Sequence, residues 1–99
     1  MLDLLASHRN LVVDLIHQHA PRAQIYAFGS RTQGLAKPHS DLDLLIDCKG
    51  GMALEQRASL RMALEDSDLP MRVDWLLWQD APEHLRVAAI AANRALTPG

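Results

Sequence analysis

The chain is poor in the features that announce most functional classes. It has one cysteine, Cys48, so no internal disulfide can form, and that residue is expected to be a small buried hydrophobe. No apolar run approaches the ~18 residues that a membrane span requires, and the N-terminus lacks a basic-then-apolar leader pattern. A cytoplasmic setting is the default expectation, with no membrane contact. Net charge is −2, which argues against a broad electrostatic grip on nucleic acid. No internal repeat, low-complexity tract or linker is visible. The five histidines show no metal-ligand spacing: His17 and His19 are two apart on a helical stretch and face apart, His8 and His84 stand alone, and His39 sits in a loop. Ninety-nine residues are expected to make a single domain, 1–99, with room for one core and none for a separate acceptor-binding lobe.

What is present is concentrated in one stretch, Gly29 to Asp47. Gly29-Ser30 follows the apolar run Ile25 to Phe28, ten residues intervene, and Asp41-Leu42-Asp43 leads into a second apolar run. Glycine lets a backbone approach a phosphate closely, and N–H groups at a helix start favour an anion. Asp41 and Asp43 are two apart, so on a strand they share a face with Cα atoms about 7 Å apart. Carboxylates so placed offer oxygen ligands to a divalent cation. The stretch reads as a triphosphate cradle beside a magnesium site.

The rest of the chain supplies the scaffold. Residues 3–19 carry apolar side chains at Leu4, Leu5, Leu11, Val12, Leu15 and Ile16, a helical stripe that Asp3 or Ser7 could cap and Pro21 would stop. Gln24–Phe28 is expected as a strand, with a short helix from about Ser30. Leu42–Cys48 is a second strand, with Leu42, Leu44 and Ile46 on one face and Asp41, Asp43, Leu45 and Asp47 on the other. Gly50-Gly51 ends it. A helix over 53–66 would bury Leu54, Ala58, Leu60 and Leu64, and a third strand runs from Met71 to Leu77. Asp80-Ala81-Pro82-Glu83 predicts a capped start for a last helix, to about Leu96, with Leu85, Ala88, Ala89 and Ala92 inward. The order is α-β-α-β-α-β-α, an α/β domain with a small mixed sheet packed by helices.

Gly29-Ser30, ten residues, then Ser40-Asp41-Leu42-Asp43-Leu44 resembles the signature of the minimal nucleotidyltransferases, the small branch of the DNA polymerase β superfamily. The resemblance spans roughly residues 20–80. It implies the nucleotidyltransferase (polymerase β-like) fold and transfer of NMP from an NTP, with ATP the expected co-substrate. It implies two Mg²⁺ ions, or Mn²⁺, held by Asp41, Asp43 and a third carboxylate. Asp74, in Arg72-Val73-Asp74-Trp75-Leu76, is the candidate for the third. On the residues alone, the alternative for Asp74 is a strand-edge acid paired with Arg72 or Arg86. Gly29 and Ser30 would hold the phosphates, with charge from Arg31 or Lys37. Gln33 stands where the family commonly has a second basic residue, one phosphate contact fewer. Small members of the family resemble antitoxins that modify a hydroxyl on a HEPN-type ribonuclease toxin, so a hetero-oligomer is expected. Leu5, Val87 and Ile90 are candidate docking residues. The competing reading is a module that inhibits its partner by occlusion, without transfer; a weaker one is a regulatory subunit that only binds nucleotide. Trp75 and Trp78 flank Asp74 as core or interface residues, with base stacking the alternative.

Overall fold

The strand Leu42–Asp47 sits at the centre of a three-stranded sheet, and everything else is arranged around it. The computed structural model describes residues 5–29 and 41–92. These form helix α1 (Ala6–His19), strands β1 (Gln24–Phe28) and β2 (Leu42–Asp47), helix α2 (Leu54–Glu65), strand β3 (Val73–Leu77), a 3₁₀ turn over Trp78–Asp80, and helix α3 (Glu83–Ala92). The expected short helix near Ser30 lies outside the described residues. Strand order is β1-β2-β3. β1 runs antiparallel to β2, with Ala27 opposite Leu44 and Phe28 opposite Asp43; β2 runs parallel to β3, with Leu42 beside Val73 and Asp43 beside Asp74. The sheet is therefore mixed. Its parallel pair is joined through α2, as a parallel connection requires.

Alternation along β2 divides the core. Leu42, Leu44 and Ile46 face a large cluster with Val12 and Ile16 of α1, Leu60 and Leu64 of α2, and Ile25 and Ala27 of β1. Leu45 points the other way, into a smaller cluster with Ala81 and Ala89, flanked by Tyr26, Phe28, Trp78 and Leu85. Each fully buried aliphatic side chain contributes about 1.5–3 kcal/mol, so the first face carries most of the stability.

Several local expectations are corrected. Leu54 is 80% exposed, and Ala58 is exposed too. At about 100° per residue, Leu60 and Leu64 lie about 40° apart, whereas Ala58 falls about 160° from Leu60. Near Leu54 the tertiary contact is polar: the Gln56 side-chain amide donates to the His19 carbonyl at 2.9 Å and accepts from the Ala53 N–H at 2.9 Å. Ser7 does not cap α1, whose cap residue is Leu5 with no side-chain bond; Asp3 lies outside the described residues. Asp80 does not cap α3. It ends the 3₁₀ turn, and its carboxylate takes Arg57 Nη2 at 2.6 Å, while the Pro82 carbonyl accepts the N–H groups of Leu85 and Arg86. β3 begins at Val73, two residues later than expected. On α3, Ala89 is buried and Leu85 half-buried, but Ala88 is exposed; the side chain of Ala92 is outside those described.

Candidate active site

The site begins with a backbone constraint. Gly29 ends β1 with φ +82°, a left-handed conformation, and a Cβ there would collide with Asp43 Oδ2. A glycine is required for both reasons. The turn thus brings the chain after β1 directly against the second carboxylate of the Asp-x-Asp pair.

Asp43 stands at the middle of the charge. Its neighbour across the antiparallel ladder is Phe28, and across the parallel ladder Asp74. Partial burial, then Asp74, then Asp41 push its carboxyl above the ordinary aspartate range. Burial removes water from the charged form, and two like charges nearby disfavour it further. Asp41 and Asp43 are both half-buried. Asp47 shares their face but lies at the far end of β2, opposite Gln24.

Of the two sequence readings of Asp74, the structure shows the pairing with Arg72. The parallel register sets it beside Asp43, and its Oδ1 accepts a hydrogen bond from Arg72 Nε at 3.1 Å. Among the described residues, no three His, Cys, Asp or Glu side chains converge closely enough to hold a metal ion. The donor set itself fits a hard divalent cation: three half-buried carboxylates, with Asp43 facing two like charges that a cation would relieve. Asp41, Asp43 and Asp74 are the residues that would hold it. Ser30, Arg31, Gln33, Lys37 and His39 lie outside the described residues.

The two tryptophans are committed to packing. Trp75 lies half-buried against the larger core, and Trp78 against the smaller one, 5.2 Å from the Tyr26 ring. Cys48 is half-buried rather than buried, its thiol donating to the Gly51 carbonyl at 3.2 Å. Leu5, Val87 and Ile90 are 66%, 57% and 62% exposed. Beside Asp74 is a cavity of about 440 Å³ between the C-terminal half of α2 and β3, with Arg61, Arg72 and Ser67 among its lining residues and Trp75 and Met71 on its apolar side. Nothing in the sequence pointed to Arg61, because its nearness to β3 depends on how α2 lies on the sheet. No described helix is long and apolar enough to cross a membrane.

Residues 10–97 match the family model for the polymerase β nucleotidyltransferase domain. The chain is 39% identical over 85 residues to a protein of Haemophilus influenzae named as a probable protein adenylyltransferase, MntA, covering 86% of this chain and 75% of that one. Among solved structures, one assigned as a minimal nucleotidyltransferase superposes with a TM-score of 0.67 at 32% identity, covering 94% of this chain and 90% of the other. A toxin–antitoxin crystal structure with AMP-PNP shares the fold, with a TM-score of 0.73 at 24% identity over 92% of this chain and 73% of that chain.

Proposed function

The chain belongs to the polymerase β nucleotidyltransferase family, and from that premise we propose that it transfers AMP from ATP to a hydroxyl on a partner protein. The observation that carries this reading is the register that sets Asp43 beside Asp74, with Asp41 adding to the charge on Asp43. The protein acceptor is supported by the 39% identical relative, whose name is that of a protein adenylyltransferase. A HEPN-type ribonuclease toxin is the proposed partner and the cytoplasm the proposed setting. The shared fold of a toxin–antitoxin structure agrees with such a pairing.

In the reaction the acceptor oxygen bonds to the α-phosphorus, and the bond from that phosphorus to the bridging oxygen breaks. Pyrophosphate leaves with the electron pair, and the hydroxyl proton is lost. In this reading Asp41 and Asp43 would hold divalent cation on the triphosphate side, and Asp74, on the edge strand, would serve the acceptor side and take up the proton. Mg²⁺ or Mn²⁺ held by these residues would supply neutralisation of phosphate charge and a lowered pKa for the acceptor hydroxyl. Gly29 lets the following backbone approach the phosphates; Ser30 and Arg31 are the proposed phosphate contacts.

The test is intact-mass measurement on a candidate toxin partner incubated with this protein, Mg²⁺ and each NTP. A gain of one or more nucleotide monophosphate masses on the partner, lost when Asp41 and Asp43 become Asn, is the expected result. A stable inhibitory complex with no mass gain would replace transfer by occlusion. Exposed Val87 and Ile90 serve docking under either reading.

A further inference from the structure

The family reading assigns Asp41, Asp43 and Asp74 to the divalent cations, and the third of these carboxylates already has a cationic partner. Arg72 Nε donates to Asp74 Oδ1 at 3.1 Å, and the three acids do not converge among the described residues. The bond is a single one, from the side nitrogen of the guanidinium. Arg72 is three-quarters exposed, so withdrawing it from Asp74 strands no buried charge. Arg72, Asp74 and a second cation, Arg61, all border the 440 Å³ cavity, which gives a displaced guanidinium space beside the site.

We propose that Arg72 is a positioning residue that holds Asp74 as a counter-ion in the metal-free protein and is displaced by the divalent cation, so that it sets the affinity of the acceptor-side position. The logic is electrostatic. Asp74 lies beside Asp43 on one side and bonds to Arg72 on the other, so the arginine relieves repulsion that the metal would otherwise relieve alone. A cation that recruits Asp74 through Oδ1 competes with that hydrogen bond. Arg72 thereby lowers metal affinity at that position.

This inference rests on the metal-binding part of the proposed function, and Mn²⁺ binding followed by the electron paramagnetic resonance of free Mn²⁺ tests it without any acceptor or turnover. Arg72→Gln is expected to tighten Mn²⁺ binding about two- to fivefold, the range set by an exposed ion pair. Arg72→Lys, which keeps the charge but not the planar donor, is expected to fall between the two. In an Asp74→Asn background the gain from Arg72→Gln should vanish. Arg61→Gln, which removes a charge from the same cavity without touching Asp74, should change affinity less. The proposal is overturned if Arg72→Gln leaves affinity unchanged or weakens it, or if its gain persists without Asp74 or is matched by Arg61→Gln. If Asp41→Asn with Asp43→Asn leaves Mn²⁺ binding intact, the metal site itself fails, and both readings fall together.

Discussion

The two faces of the sheet are written by one strand and obey opposite rules. On the face toward α1 and α2, Leu42, Leu44 and Ile46 of β2 are fully buried, in a cluster that is mostly aliphatic. On the face toward α3, Leu45 anchors a small cluster, and the strand's remaining positions are Asp43 and Asp47, preceded by Asp41. The first face stores stability. The second accumulates like charge that the fold tolerates only because the first is complete. Concentrating apolar burial on one side leaves the other free to carry charge.

The sharpest way to break this division is to neutralise the charged face. Asp41→Asn with Asp43→Asn should cut nucleotidyl transfer by at least about 10²–10³-fold, since charge neutralisation by metal is worth several kcal/mol of barrier. Circular dichroism and melting should show the fold intact. The mirror experiment is Leu44→Ala, expected to cost about 2–5 kcal/mol in chemical denaturation while leaving Mn²⁺ affinity of the folded protein unchanged. If that substitution weakens metal binding as well, the faces are not independent.

Gly29→Ala tests the join between them. The left-handed φ alone costs an alanine about 1–2 kcal/mol, and the added Cβ must displace the Asp43 carboxylate. Both stability and Mn²⁺ affinity should fall, a combination neither face gives alone. The smallest effect is the most diagnostic. Asp43 has a raised folded-state pKa, so its ionised form opposes folding without metal. The sign follows from linkage: the native state binds the proton more tightly, so this contribution falls as pH rises from the unfolded through the folded pKa, and the full penalty remains above it. Asp43→Asn should therefore raise the metal-free melting temperature at neutral pH. The gain should shrink as pH drops through the folded pKa and disappear below the unfolded one. Millimolar Mg²⁺ should raise the melting temperature of the native protein but not of this variant.

Much of this division was legible in the sequence because β2 alternates with a period of two, and a strand with that period leaves little freedom about which side chains share a face. The same holds for Gly29, whose place between an apolar run and a Gly-Ser turn already pointed to a close backbone approach. Helical faces were less legible. α2 offers Leu54, Ala58, Leu60, Met62 and Leu64, more apolar residues than one face can take, and only the packing shows that Leu60 and Leu64 are inward while Leu54 and Met62 are exposed. Asp80 had the local grammar of a helix cap, but Arg57, distant in sequence, claims its carboxylate. Arg72 was a nameable partner for Asp74. That Asp74 would hold this bond while sitting beside Asp43 depends on a parallel register that no local pattern encodes.

That parallel register has a further consequence in time. β1 and β2 are antiparallel neighbours in the sequence, whereas β3 pairs with β2 across the whole α2 connection. Contacts that close a long stretch of chain are slow to form, and a parallel pairing is among the slowest. The partial site made by Asp41 and Asp43 can exist in an incomplete molecule; the site with Asp74 cannot. During synthesis, a ribosome-bound chain that has not yet released β3 would hold metal weakly and transfer nothing. Under the proposed function, competence for transfer is thereby a certificate that β3 has docked.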